Sequence, residues 1–194
     1  VYGLSANGCS TVTLNVELRL HEPLSLTIIP NATICLNDTA NIQVFASGGL
    51  QPPSYNYTWS NGLSDLPSHN VSPNSTTTYT VTVTDDCETP QQIDAITVFV
   101  NPLPVIDFNS DISSGCYPVS INFTDLNYDP NNSGVSWDFD IDDSISYISS
   151  VDSSVTYTYT SPGNYGVSLS VVNSFGCTDT AYYSNLIEVY DFPV

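Results

Sequence analysis

The chain contains 194 residues with an ordinary hydrophobic fraction of 41%, and its twenty acidic residues face a single basic one, Arg19, for a net charge of −19. This charge argues against nucleic-acid binding and against docking on anionic membranes, because phosphates and acidic lipids would be repelled. The apolar fraction separates the chain from disordered acidic tails, and no apolar run has membrane-spanning length. We therefore expect two small folded domains and no direct membrane insertion.

Residues 1–21 contain a regular alternation of apolar and polar side chains from Val12 to Leu20. A period of two with one apolar face predicts a β-strand on a sandwich. One strand is not stable alone, so we interpret residues 1–21 as the last strands of a preceding, truncated domain. The alternative is a donor strand that completes a sandwich in another molecule.

Residues 22–101 are predicted to form one complete β-sandwich, because short apolar runs alternate with turns rich in Gly, Pro, Asn and Ser. Trp59 lies in the middle of this region and is expected to fill its core. The predicted strands are Leu24–Ile29, Asn41–Ala46, Tyr55–Trp59, Thr77–Thr84 and Ile93–Val100.

Residues 102–194 repeat this plan after a short proline-containing linker at Asn101–Pro104, and Trp137 takes the place of Trp59. Residues 191–194 are expected to start a following domain. The predicted strands are Val105–Phe108, Val119–Thr124, Val135–Phe139, Val155–Thr158, Tyr165–Val172 and Ala181–Tyr190.

A strand followed by a cysteine and a further strand occurs three times, with the cysteines at Cys9, Cys87 and Cys177. A repeat of roughly 80 to 90 residues built from short strands predicts an all-β chain of tandem immunoglobulin-like sandwiches. Residues 1–21 then end one such domain and residues 22–101 form the next. The five cysteines form no C-x-x-C pair, which favours disulfides in an extracellular space over a zinc site.

The positions of the cysteines predict a disulfide map. In each complete domain one cysteine precedes the second predicted strand and another follows the penultimate one, so the two are expected to meet. The predicted pairs are Cys35–Cys87 and Cys116–Cys177. Cys9 is then left without a partner inside the chain.

Four motifs of the second domain carry a family resemblance: Gly115–Pro118 (GCYP), Ile121–Asp125 (INFTD), Trp137–Asp140 (WDFD) and Tyr157–Tyr165 (YTYTSPGNY). Together they resemble the PKD domain, whose usual pattern is a W-D-F-G-D-G turn followed by Y-x-x-P-G-x-Y. The chain departs from that pattern at Asp140–Asp143, where Gly-Asp-Gly is usual.

The preceding domain, with Cys35–Asp38, Tyr57–Ser60 and Thr77–Val83, resembles the Ig-like repeats that precede PKD repeats in large secreted proteins of Bacteroidota. Those proteins include gliding-type adhesins and type-nine secretion cargo. The resemblance implies an extracellular segment of a cell-surface adhesin or filament. Its partners would be further repeats of the same polypeptide, copies of itself, or surface glycans.

A cluster of carboxylates in the WDFD turn is the best candidate ligand site. Hard oxygen ligands crowded on a turn suit calcium, which takes six to eight of them. Asp125 and Asp129 lie on a neighbouring loop and could join. The alternative is an exposed acidic edge that prevents sheet-to-sheet aggregation. The predicted calcium ligands are Asp138, Asp140, Asp142 and Asp143.

The resemblance to Bacteroidota proteins also suggests glycosylation at Asp followed by Ser or Thr and a small or aliphatic residue. Thr39, Ser144 and Thr180 match this motif.

No catalytic motif is recognisable, so a non-enzymatic stalk, spacer or adhesive module is the preferred interpretation. One alternative is an accessory spacer of a secreted hydrolase. The other is a carbohydrate-binding module, which would need an exposed aromatic platform. Candidate residues for that platform are Tyr55, Tyr57, Tyr128, Tyr182 and Tyr183.

Overall fold

A computed structural model describes residues 22–49, 55–85, 89–140, 146–148 and 152–192, with the backbone alone for residues 146–148. The regular secondary structure in these ranges is β-strand, apart from one 3-10 turn at Ser60–Gly62. The predicted all-β class and the tandem immunoglobulin-like sandwiches are confirmed. The strand predicted at Val12–Leu20 lies outside the described residues.

The region predicted as the first complete sandwich forms two sheets. One has the strand order β1-β3-β5 and the other β2-β7-β6-β4. Strands β2 and β7 run parallel, whereas β1 and β3 are antiparallel, as are β4 and β6. The strands are β1 (Ser25–Ile28), β2 (Ala32–Cys35), β3 (Ala40–Ser47), β4 (Asn56–Trp59), β5 (Ser68–Val71), β6 (Thr77–Thr84) and β7 (Gln92–Asn101).

The second region also forms two sheets, with the strand orders β13-β10-β8 and β12-β11-β14-β15-β9. Its short strand β9 runs parallel to the last strand, β15, as β2 does to β7. The strands are β8 (Phe108–Ser110), β9 (Ser114–Cys116), β10 (Val119–Asp125), β11 (Gly134–Asp138), β12 (Ser146–Ile148), β13 (Ser154–Tyr159), β14 (Gly163–Val172) and β15 (Thr178–Tyr190).

The prediction of a strand at Val105–Phe108 is wrong in position. The strand starts only at Phe108, and Val105 is 78% exposed. The cause is the pairing partner: Phe108, Asn109 and Ser110 lie opposite Asp125, Thr124 and Phe123 of β10, so the ladder begins where β10 ends. Four strands were not predicted, β2, β5, β9 and β12, and they have only three or four residues each.

Positions of the Cα atoms divide the chain into two compact units. The first unit consists of the described parts of Val1–Pro30, Asn41–His69 and Thr78–Ile96. The second consists of Asn31–Ala40, Asn70–Thr77 and the described part of Thr97–Val194. Strand β2 therefore belongs with the second unit. The predicted domain boundary between residues 101 and 102 stays a prediction.

The core of the first unit contains Trp59, as predicted. Alternate residues of β3 and β6, such as Ile42 and Val81, are fully buried, which is the period-two pattern of a strand with one face inside. The indole Nε1 of Trp59 donates a hydrogen bond to the Leu66 carbonyl at 2.8 Å. A buried polar group is thereby satisfied.

The core of the second unit is aromatic and has Trp137 at its centre, also as predicted. The ring of Trp137 lies 5.1 Å from Phe108, 6.0 Å from Phe123 and 5.9 Å from Phe139 between centroids. All four side chains are buried. Aromatic contacts of this kind add to the free energy gained from the buried area.

The two tyrosines of the Y-x-x-P-G-x-Y motif have separate structural roles. Tyr159 is buried and donates its hydroxyl to the carbonyl of Phe139, at 3.1 Å. Tyr165 donates to the Ser161 carbonyl at 2.9 Å, and the two rings lie 4.5 Å apart. Burial raises the pKa of Tyr159 strongly, so its hydroxyl stays protonated and able to donate.

Candidate functional site

A disulfide bond joins Cys35 and Cys177, which are separated by 142 residues in sequence. Their Cα atoms lie 5.6 Å apart. Both predicted pairings are therefore wrong. Cys116 is an exposed free thiol at the end of β9. Cys9 and Cys87 lie outside the described residues.

The physical reason for this pairing is the unpredicted strand β2. It runs parallel to β7 with Cys35 opposite Asn101, where the linker begins, and the Leu36 N–H donates to the Asn101 carbonyl at 2.9 Å. Cys35 is therefore held beside the linker that leads into the second sandwich. The prediction of Cys35–Cys87 considered each sandwich by itself and missed this neighbour.

A local turn positions Cys35. The Asp38 N–H donates to the Cys35 carbonyl at 3.0 Å, and the Cys35 N–H donates to the Asp38 carboxylate at 3.3 Å. Asn37 between them has a φ of 74°, a left-handed conformation that asparagine tolerates better than most residues. The sequence Cys-Leu-Asn-Asp thus forms a tight turn directly after β2.

Asn173 positions the other cysteine. This buried side chain donates from Nδ2 to the Pro102 carbonyl at 2.8 Å. Its Oδ1 accepts hydrogen bonds from the N–H groups of Phe175 and Cys177, each at 3.0 Å. Gly176 has a φ of 81°, which completes the tight turn between β14 and β15. One amide therefore ties the linker to the cysteine turn.

Sequence reasoning missed Asn173. The available signal was the run Asn173–Cys177, NSFGC, between two strong strand patterns, since Asn and Gly at this spacing are typical of a hairpin turn. The pattern predicts the turn, but it does not reveal that the side chain also reaches Pro102.

The predicted calcium ligands are only partly described. The Asp140 N–H donates to the carboxylate of Asp138 at 3.2 Å, whereas Asp142 and Asp143 lie outside the described residues. In the described ranges no group of three or more His, Cys, Asp or Glu residues is placed to hold a metal ion. The four-carboxylate calcium site stays a prediction.

The two carboxylates of the neighbouring loop each organise their own turn. Asp125 is buried and accepts a hydrogen bond from the Asn127 N–H at 2.9 Å. Burial raises the pKa of Asp125, and the hydrogen bond partly opposes this shift. Asp129 accepts from the backbone and side chain of Asn131 at 2.9 and 2.8 Å.

The predicted glycosylation sites are accessible where they are described. Thr39 and Thr180 are exposed, and their hydroxyls form hydrogen bonds with Ser72 at 2.8 Å and Ser170 at 3.1 Å. Ser144 lies outside the described residues. Exposed hydroxyls are compatible with modification, which stays a prediction.

The tyrosines proposed for a carbohydrate platform are distributed over both units. Tyr182 and Tyr183 are 52% and 40% exposed, but they are adjacent on β15, so their side chains leave opposite faces of the sheet. Tyr183 donates to the Asp107 carboxylate at 2.8 Å, and this bond raises the pKa of Tyr183. Tyr128 lies in the same unit, whereas Tyr55 and Tyr57 belong to the first unit.

A groove of about 300 Å³ lies beside the linker in the second unit. It is lined by Pro102–Val105, by residues of the 127–132 loop and by the turn that holds Asn173. Phe175 on its rim is 61% exposed. Asp129 is the only ionisable side chain among the described residues that line it.

Comparison with known families gives a match for the second region. Residues 99–186 match the model of the PKD domain family. This match confirms the PKD part of the resemblance. The Ig-like repeats before it and the Bacteroidota adhesin context stay predictions. A comparison with curated protein sequences gave no match.

Similar solved structures are small β domains and tandem arrays. The PKD1 domain of the Vibrio cholerae metalloprotease PrtV is 25% identical with a TM-score of 0.35, over 46% of this chain and 99% of that one. The PKD1 domain of Vibrio anguillarum Epp is 24% identical with a TM-score of 0.36, over 46% and 99%. Extracellular domains 3–5 of Drosophila OTK are 13% identical with a TM-score of 0.42, over 87% and 62%.

Proposed function

We propose that this chain is a non-enzymatic, extracellular repeat segment of a cell-surface adhesin or filament, in which it acts as a stalk or spacer. The observation that carries the proposal is the PKD match over residues 99–186 within an all-β tandem. PKD and immunoglobulin-like domains are typical modules of extracellular proteins that space or display other parts.

The disulfide supports the extracellular location. Such bonds persist in oxidising surroundings and are rare in reducing cytosol. In the described part of the chain no helix is long and apolar enough to cross a membrane.

The charge supports a role as a segment that stays apart from neighbouring copies. A net charge of −19 on 194 residues repels neighbouring copies and opposes lateral aggregation. The aromatic core around Trp137 is consistent with a self-contained spacing module, because its buried rings pack against one another within one sandwich.

The proposal is tested by replacing residues 22–192 in the full-length protein with two unrelated β-sandwich domains of similar length. Intact cells are then probed with an antibody to an epitope tag in the 127–132 loop, and attachment is measured. A spacer predicts surface labelling of the native protein, loss of attachment on deletion, and recovery with the replacement.

Two results would contradict this role. If the tag were accessible only after lysis, the extracellular location would be wrong. If the replacement failed as completely as the deletion, the segment itself would be adhesive. A hydrolytic activity that the deletion alters without any change in attachment would instead favour the accessory spacer of a secreted hydrolase.

Calcium is proposed as a stabilising ligand of the turn that contains Asp138 and Asp140. Carboxylates crowded on one turn repel each other unless a cation lies between them. Thermal unfolding in 5 mM EDTA or 5 mM calcium chloride tests this. Calcium should raise the Tm of the native protein more than that of Asp138→Asn. An equal rise in both would contradict a calcium site at Asp138.

A further inference from the structure

We propose that the Cys35–Cys177 disulfide is a covalent shortcut for tension, which passes load from strand β2 directly to strand β15. The proposal rests on the function of a spacer that is pulled from its two ends. Under such tension the chain between the two cysteines would carry no load while the bond is intact.

The connectivity carries this inference. Cys35 is the last residue of β2, and Cys177 directly precedes β15, the last strand of the second unit. The 142-residue separation encloses all of β3 to β14. Because a covalent bond is far stronger than the hydrogen bonds of a sheet, tension on the chain ends cannot extend the enclosed residues.

Strand β15 is well placed to transmit tension from Cys177 towards the C-terminal end of the chain. Tension enters it at Thr178 and leaves it at Tyr190, so the force acts along the strand's own backbone. β15 lies between β14, antiparallel to it, and β9, parallel to it. Neither neighbour lies in the load path, so the PKD sandwich should remain folded while force passes through it.

The elements before Cys35 are the ones exposed to force. β1 and β2 have four residues each. β1 pairs with β3, and β2 pairs with the last four residues of β7, and both partners lie inside the enclosed loop. Tension should therefore detach these two short strands first and then stop at the disulfide.

Both cysteines are held by contacts that do not depend on the bond itself. Asp38 and the left-handed Asn37 shape the turn after Cys35. The buried Asn173 fixes the Cys177 N–H and the Pro102 carbonyl together. The site is thus constructed by the fold, which distinguishes it from an accidental approach of two thiols.

The test is single-molecule stretching of the 194-residue chain, held by peptide tags at both ends, with and without a reductant. A residue extends by at most about 3.4 Å, so the intact bond should prevent the enclosed loop from adding about 480 Å of contour length. Native protein under oxidising conditions should show only the short extension. Reduction with a phosphine should release the remainder, with no change in sequence.

Variants provide the control. Cys35→Ser and Cys177→Ser should each release the length that this bond encloses without reductant, and Cys116→Ser should behave like the native chain because its thiol is free. Full extension of oxidised native protein would overturn the proposal. So would a withheld length of about 180 Å, which corresponds to a Cys35–Cys87 bond.

This test is independent of the cellular role. Stretching measures the isolated chain, whereas the spacer function is tested by surface labelling and attachment. A chain that withholds length but is absent from the cell surface would refute the spacer function alone. A surface-exposed chain that extends fully would refute the shortcut alone.

Discussion

The two units each bury one tryptophan, and the two indoles are held in different ways. In the first unit Trp59 donates a hydrogen bond to the Leu66 carbonyl at 2.8 Å and meets the ring of His69 edge-on at 5.6 Å. In the second unit the Nε1 of Trp137 is buried without a hydrogen-bond partner among the described residues. A buried unpaired N–H costs free energy, typically about 1 to 3 kcal/mol.

The second unit must offset that cost by packing and by its covalent bond. Trp137 is surrounded by the rings of Phe108, Phe123 and Phe139, which dominate the core. The disulfide also belongs to this unit, whereas the described part of the first unit contains no cysteine. The comparison teaches that one buried indole is secured by a hydrogen bond and the other by aromatic packing.

The largest effect is expected from removing the disulfide. Cys35→Ser together with Cys177→Ser should lower the free energy of unfolding of the second unit by about 5 kcal/mol, because the bond closes a very long loop. Hydrogen exchange measured by mass spectrometry should show faster exchange in β14 and β15 and little change in β4. Cys116→Ser is the matched control. Equal acceleration in both units would contradict the assignment of the bond to one of them.

The tryptophans come next. Trp137→Ala should lower the free energy of unfolding by about 5 kcal/mol and Trp59→Ala by about 3 kcal/mol. The first substitution costs more because it leaves a fully enclosed cavity among rigid rings. Urea unfolding followed by hydrogen exchange in β14 and in β4 separates the two units. A larger loss for Trp59→Ala would mean that its polar anchor outweighs the aromatic core.

Removal of the Asn173 amide is expected to have an intermediate effect. Asn173→Ala leaves the N–H groups of Phe175 and Cys177 and the Pro102 carbonyl without their partner, at a cost of about 2 kcal/mol. Asn173→Asp keeps the acceptor but loses the donor to Pro102, so its stability should lie between those of the native protein and Asn173→Ala. If Asn173→Asp matched the native Tm, the link to Pro102 would contribute nothing.

The smallest effect concerns Asp125. Its folded pKa is raised by burial above the unfolded value of about 3.9, so the folded state binds the proton more tightly. The contribution of Asp125 to stability should therefore increase as the pH falls from neutral through the folded pKa, and level off below the unfolded pKa. Asp125→Asn should remove this component. Urea titrations of both proteins between pH 3.5 and 7 would reveal it as a pH-dependent difference; a constant difference would refute it.

Most of the long strands could be predicted from sequence because their evidence is local. Strand β6 at Thr77–Thr84 alternates polar and apolar residues, and the structure has the predicted bounds. The burial of Trp59 and Trp137 could also be predicted, because each lies in a strand-like stretch and the indole has a large apolar area. The PKD motifs likewise lie in continuous stretches, and their tyrosines contact residues nearby in the sandwich.

The disulfide could not be deduced in the same way. It depends on β2, a four-residue strand whose position is set by its parallel partner β7 some sixty residues later. It also depends on Asn173, which contacts Pro102 across 71 residues of sequence. Cysteine spacing and strand periodicity contain no information on such contacts, since parallel pairing and long-range side-chain bonds are decided only when the sheets assemble.

The amino-acid sequence by itself therefore determined the all-β class, the longer strands, the two tryptophan cores and the PKD resemblance. These depend on periodicity and on residues close together in the chain. Only the tertiary structure decided the short strands β2, β5, β9 and β12 and the partner of Cys35. Their free energy comes from neighbours distant in sequence, so the choice between Cys87 and Cys177 is made by the assembled fold.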